Sequence, residues 1–182
     1  MSNPTTVEQA IRRHFTKDLK PGQSVFNLFE WRKLDIKIDD FKSGKTIFEM
    51  KDVEVPTGWS DNAAQIVASK YFRKAGVPLF HRVDGGTDYG SETSMKQVAH
   101  RLALGWQQHG IRNGYLEEKT DINGERWCNT TAEIFYDEIV YMILAQIAAP
   151  NSPQWFNTGL KEAYGITGNA SGEHWYCDHK TG

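Results

Sequence analysis

The most apolar segment of the chain runs from Ala132 to Ala149, and Pro150-Asn151-Ser152-Pro153 follows it at once. Each proline lacks a backbone N–H and disfavours a helical conformation in the residue before it. The sequence therefore predicts a long helix that ends near Ala149 and a tight, irregular turn running on to Gly159. Trp155 and Phe156 fall inside that turn, where large apolar side chains need a core to pack against. Asn151, Ser152 and Asn157 are expected to supply its local hydrogen bonds.

Thr130-x-x-Glu133 has the form of a capping box, which places the helix at 131–149. Phe135, Ile139, Val140, Met142, Ile143, Leu144 and Ile147 leave it few polar sides. A helix apolar nearly all round belongs at the centre of a fold. The other segments offer limited apolar surface, so part of this helix is expected to stay uncovered.

Upstream, Val7, Ala10, Ile11 and Phe15 at helical spacing among Arg12, Arg13, Lys17 and Lys20 predict a short amphipathic helix ending before Pro21-Gly22. From Leu34 the period becomes two: Leu34, Ile36 and Ile38 alternate with Asp35, Lys37 and Asp39. Lys42-Ser43-Gly44-Lys45 supplies a turn, and Ile47, Glu49, Lys51, Val53 and Val55 run back to Pro56. These segments predict a β-hairpin over 33–55. Ser60 fits an N-cap for a helix reaching about Lys74. Residues 76–90, with Gly85, Gly86 and Gly90, read as a loop. They do not read as a phosphate cradle, because no strand–turn–helix context or Lys-Ser/Thr accompanies the glycines. A further helix is expected from about Ser91 to Gln108, striped by Met95, Val98, Leu102 and Trp106 and closed by His109-Gly110. Asp121-Ile122-Asn123-Gly124 reads as a turn.

Composition narrows the function. Lys plus Arg number 21 against 23 Asp plus Glu, so no basic surface for a nucleic-acid polymer or an anionic membrane is implied. Aromatic content of 12% argues for a folded chain, while a hydrophobic fraction of 39% leaves it short of core. No apolar run approaches the ~18 residues of a membrane span, and Met1 to Thr6 holds no leader-like segment, so a cytoplasmic protein is expected. The only cysteines are Cys128 and Cys177, too few for a disulfide framework. His100 and His109 share no helix face, and His174, Cys177 and His179 lack the further ligand of a structural zinc site. No metal is expected.

Asn151-Ser152-Pro153-Gln154-Trp155-Phe156-Asn157-Thr158-Gly159 resembles the NSPxWFNxG segment of bacterial class II ribonucleotide reductases, the adenosylcobalamin-dependent ones. Other segments agree, in order: Phe29-Glu30-Trp31-Arg32; Asp52-Val53-Glu54-Val55-Pro56 with Trp59-Ser60; Ser69-Lys70-Tyr71-Phe72-Arg73; Glu92-Thr93-Ser94 with Arg101; Gly114-Tyr115; Phe135-x-x-Glu138; and Gly172-x-His174-Trp175-Tyr176. The resemblance covers about residues 25–182. Departures are Leu116 where the family usually has Phe after Gly-Tyr, and Pro150 where Phe often precedes the Asn-Ser-Pro.

The resemblance implies an α+β, mostly helical fold: an N-terminal β-hairpin and a cluster of helices that in the family precede and pack on a ten-stranded α/β barrel, absent here. Residues 1–24 form a polar N-terminal segment, and 25–182 the domain leading up to the catalytic barrel. The implied function is the N-terminal part of a vitamin B12-dependent ribonucleoside-diphosphate (or triphosphate) reductase. That enzyme makes deoxyribonucleotides for DNA synthesis by a thiyl-radical mechanism, as an oxidoreductase. Its partners are the barrel-bearing remainder of the reductase and a ribonucleotide. Adenosylcobalamin serves the complete enzyme and is not expected to be held by this chain alone. A radical cysteine and two redox cysteines surround the substrate, and neither Cys128 nor Cys177 lies in a segment resembling their strands. The chain by itself is therefore expected to be inactive. In related reductases the hydroxyl residue before the proline of the turn lies beside the substrate phosphates, which implies that role for Ser152. The competing reading is that Ser152 only satisfies its own turn. The alternative for the whole chain is a non-catalytic interaction module or split-gene subunit that kept the fold without the barrel.

Overall fold

The computed structural model describes residues 11–20, 22–81, 86–117 and 130–167. The chain is α+β, with two small antiparallel sheets and a preponderance of helix. In order come β1 (Trp31–Asp39), β2 (Thr46–Pro56), α1 (Asp61–Ile66) continued by a π-turn (Val67–Tyr71), β3 (Val77–His81), β4 (Thr87–Gly90), α2 (Met95–Arg112), α3 (Thr131–Leu144), α4 (Ser152–Asn157) and α5 (Leu160–Tyr164). A 3-10 turn, Val25–Leu28, precedes β1.

The first hairpin forms where the period-two pattern places it, with a change of phase inside β2. Leu34 pairs with Val53 but Ile36 pairs with Met50, so β2 carries one extra residue. Asp52 takes a left-handed φ of 54°, and its N–H donates to Asp35 Oδ1 at 3.0 Å. This bulge reverses which side chains face inward. Beyond it Phe48 and Met50 pack on the core with Leu34, Ile36 and Ile38, and Ile47 is exposed. Strict alternation from Val55 back to Ile47 would have placed Ile47 on the inner face.

Ser60 caps α1 as expected, accepting from the Ala63 N–H. The helix ends earlier than Lys74, through the π-turn at Tyr71. In place of the expected loop, β3 and β4 pair antiparallel, Val77 opposite Gly90. Gly76 and Gly90 lie at the two open ends of this hairpin. Ser94, not Ser91, caps α2, in a capping box with Gln97. That helix runs through His109-Gly110 to Arg112, and Gly110 lies against Leu116, where a larger residue would collide.

Thr130 and Glu133 form the capping box of α3. The helix stops at Leu144, well before Ala149 and the prolines. Gln146 adopts φ 57°, and the N–H groups of Gln146 and Ile147 turn back to the carbonyls of Ile143 and Met142. This is a Schellman closure with Gln where Gly is usual. Trp59 Nε1 donates to the Leu144 carbonyl at 2.7 Å, taking another group the helix end leaves without a partner. Among the residues of α3 none is fully exposed, but Phe135, Ile139 and Met142 remain half-buried, and Ile147 beyond its end is exposed. Val140, Ile143 and Leu144 join Val98, Leu102, Val53, Val55, Trp59 and Trp155 in one core.

Residues 11–20 contain no helix; the remainder of that expected helix lies outside the described residues. Their backbone serves Glu138 instead. Its carboxylate accepts from the N–H groups of His14, Phe15 and Thr16 and from the Thr16 hydroxyl, at 2.6–3.0 Å. Arg13 pairs with Asp137 at 2.7 Å, Phe15 stacks on Tyr141, and Leu19 enters the core. A segment that read as separate and polar is thus bound to the central helix.

Candidate functional site

The expected turn after Pro150 is a short helix, α4. Asn151 caps it, its side chain accepting from the Gln154 N–H at 3.2 Å, and Pro153 sits in the first turn where a missing N–H costs nothing. Asn157 donates to the Pro153 carbonyl at 3.0 Å. Trp155 is 7% exposed and anchors α4 in the core, whereas Phe156 is 46% exposed and is not pinned there.

The Ser152 hydroxyl, at the surface, lies 3.2 Å from the hydroxyl of Tyr71 at the end of the π-turn. The Tyr71 ring packs on both Trp155 and Phe156, with centroids 5.5 and 5.3 Å away.

Beneath this pair lies a fully buried ion pair. Arg101 Nε donates to Glu92 Oε1 at 2.7 Å, with both side chains removed from solvent. Isolated charges there would cost several kcal/mol each, so every remaining donor and acceptor has to be met. Arg101 Nη2 donates to the Trp155 carbonyl at 2.8 Å and Nη1 to that of Thr158 at 3.0 Å. Nη2 also reaches the Tyr71 carbonyl at 3.4 Å. Glu92 accepts from the Arg73 N–H at 2.7 Å and from the Tyr164 hydroxyl at 2.8 Å. Burial first, and then the adjoining Glu92 charge, push the Tyr164 pKa up, which keeps the proton on the phenol as a donor. One ion pair therefore fixes the π-turn, α2, α4 and α5 relative to each other.

Sequence reasoning had Glu92 and Arg101 only as residues carrying a resemblance. A physical signal was present: Arg101 lies beside Val98 and Leu102 on the apolar stripe of α2, where a charge needs a buried partner. Among the described residues no cluster of three or more His, Cys, Asp or Glu is arranged to hold a metal. Cys128, His174, Cys177, His179 and the turn at 121–124 lie outside the described residues. No described helix is long and apolar enough to cross a membrane.

The family model described as class II vitamin B12-dependent ribonucleotide reductase matches residues 33–146. That stretch holds the hairpin, α1, α2 with Arg101, and α3. The chain belongs to this family. It is 39% identical over 94% of its length to the vitamin B12-dependent ribonucleotide reductase of Agrobacterium fabrum, and equally so to that of Bradyrhizobium diazoefficiens. A reductase of the same name from Streptomyces coelicolor is 35% identical over 78% of the chain. The chain spans 14% of the length of the first two relatives and 13% of the third. It corresponds to an N-terminal portion of a class II reductase.

Proposed function

We propose that the chain acts as the N-terminal part of a vitamin B12-dependent ribonucleoside-diphosphate (or triphosphate) reductase, in which residues 25–182 pack on a ten-stranded catalytic barrel. The reductase makes deoxyribonucleotides by thiyl-radical chemistry, and Ser152 of this chain contacts the substrate phosphate. The observation that carries the Ser152 assignment is its position: an exposed hydroxyl on a helix whose Trp155 and Thr158 carbonyls are gripped by the buried Arg101. A hydroxyl held on so rigid a base donates to a phosphate oxygen without first having to be ordered.

Vitamin B12, on which the relatives depend by name, does not fit the apolar pocket of about 360 Å³ between Ile11, Trp106, His109, Leu116 and Phe135. Pockets of roughly 300–1,000 Å³ enclose drug-sized ligands, and a corrin with its nucleotide arm is larger. The pocket also lacks a cluster of donors for the corrin's amide side chains. The proposal therefore leaves cobalamin to the remainder of the reductase.

The test compares two substitutions in the full-length reductase. Ser152→Ala removes a hydrogen bond to a charged group, worth ~1.5–3 kcal/mol, and raises KM ten- to a hundredfold on that scale. Trp155→Ala acts through packing, at ~3–5 kcal/mol of stability. If Ser152→Ala lowers the melting temperature as far as Trp155→Ala does and leaves KM alone, the helix is only structural.

A further inference from the structure

We propose that the Tyr71 hydroxyl is a second phosphate-binding group, acting beside Ser152; this rests on the reading of Ser152 given above. The two hydroxyls lie 3.2 Å apart at the surface. In such a pair one proton is shared and the other is free to point outward. When an anion arrives, both hydroxyls rotate to donate, one to each of two oxygens of a single phosphoryl group. A nucleoside diphosphate or triphosphate supplies that group.

The backbone around Tyr71 supports this role. The Phe72 N–H donates to the Val67 carbonyl, closing a π-turn in which one residue more than a regular helical turn is accommodated. One added residue rotates the positions after it by about 100° around the helix axis. Tyr71, the last residue of that turn, lies against α4, and π-turns recur at functional sites. The ring is then confined by Trp155 and Phe156. Arg101 Nη2 lies on both the Tyr71 and the Trp155 carbonyls, at 3.4 and 2.8 Å, so one buried guanidinium sets the spacing of the two hydroxyl-bearing segments. Phe156, exposed beside them, adds an apolar wall to one side of the pair.

Tyr71→Phe, Ser152→Ala and the double variant of the full-length reductase, assayed with a ribonucleoside diphosphate and with the matching triphosphate, test the proposal. Tyr71→Phe keeps the ring and its packing. It is expected to raise KM about tenfold, the loss of one hydrogen bond to a charged group, with most of the loss in kcat/KM carried by KM. The double variant is expected to lose less than the product of the single effects, because the two groups serve one phosphoryl. An unchanged KM for Tyr71→Phe overturns the inference, and if Ser152→Ala still raises KM the reading of Ser152 stands without it. Should Ser152→Ala be silent while Tyr71→Phe raises KM, the reading of Ser152 fails and Tyr71 remains as the contact. A fall in melting temperature for Tyr71→Phe with KM unchanged assigns the hydroxyl to holding α4 in place, and the inference is lost.

Discussion

Gly159 rests against Gly105 so closely that a Cβ on Gly105 would lie 2.8 Å from the Gly159 Cα. A Cβ on Gly159 would overlap the carbonyl oxygen of Arg101. Gly159 also has a φ of 75°, the left-handed region in which side chains are strained. This approach of backbone to backbone brings the Thr158 carbonyl within reach of Arg101. Gly159→Ala is expected to cost the left-handed penalty of ~1–2 kcal/mol and a further ~1–3 kcal/mol for overpacking. Gly114, at φ 71° with open space around it, isolates the first of these terms. Melting temperatures of Gly159→Ala and Gly114→Ala should differ; equal losses would mean that the close approach contributes nothing.

Breaking the buried ion pair should be more damaging than any surface change. Glu92→Gln leaves the Arg101 guanidinium buried without its counter-charge, a loss of ~3–5 kcal/mol. Tyr164→Phe removes one hydrogen bond to the same carboxylate and should cost ~1.5–3 kcal/mol. Urea midpoints order the variants. A Glu92→Gln protein as stable as the parent would contradict the role given to the pair.

The docking of residues 13–19 onto α3 should depend on pH in the acid range. Burial pushes the Glu138 carboxyl up, but hydrogen bonds from the Thr16 side chain and from the Phe15, Thr16 and His14 N–H groups outweigh it, so its pKa is lowered. A carboxyl whose folded pKa lies below its unfolded value, about 4.3, stabilises the fold above that value. Its contribution is lost as the pH falls through the folded pKa. Protection factors at the Phe15 and Thr16 amides, taken relative to the intrinsic exchange rate at each pH, should fall on acidification, and in Glu138→Gln they should already be low at neutral pH. Protection that persists in Glu138→Gln would show that the carboxylate does not hold the segment.

The chain alone should not reduce a ribonucleotide. It has two cysteines in all, one fewer than the radical cysteine and redox pair that the thiyl-radical chemistry proposed above would use. Purified chain supplied with adenosylcobalamin, a dithiol and a ribonucleoside diphosphate should form no deoxynucleotide, and detectable product would refute the assignment of catalysis to the rest of the enzyme.

Most of the elements were legible because their signals are local. Ser60 and Thr130 cap helices through bonds to N–H groups three residues on, and Leu34, Ile36 and Ile38 mark a strand face by alternation alone. The 76–90 hairpin was obscured by its own glycines, and the reversal of face in β2 by a bulge that no alternation rule anticipates. The end of α3 was misplaced for a similar reason: prolines are conspicuous in a sequence, but the stop comes from Gln146 in a left-handed conformation and a Trp59 hydrogen bond spanning 85 positions.

By itself the sequence determined the family, the principal helices and hairpin, and Ser152 as a position of interest. Only tertiary structure decided what Ser152 touches and what holds it, since Tyr71 is 81 positions away and Arg101 reaches the Trp155 carbonyl across 54. A backbone carbonyl carries no side-chain identity, so no residue pattern announces that it will accept from a buried arginine. That bond exists because burying Glu92 and Arg101 together demands partners for every polar atom, and the fold brings the ends of α4 to where those partners are needed.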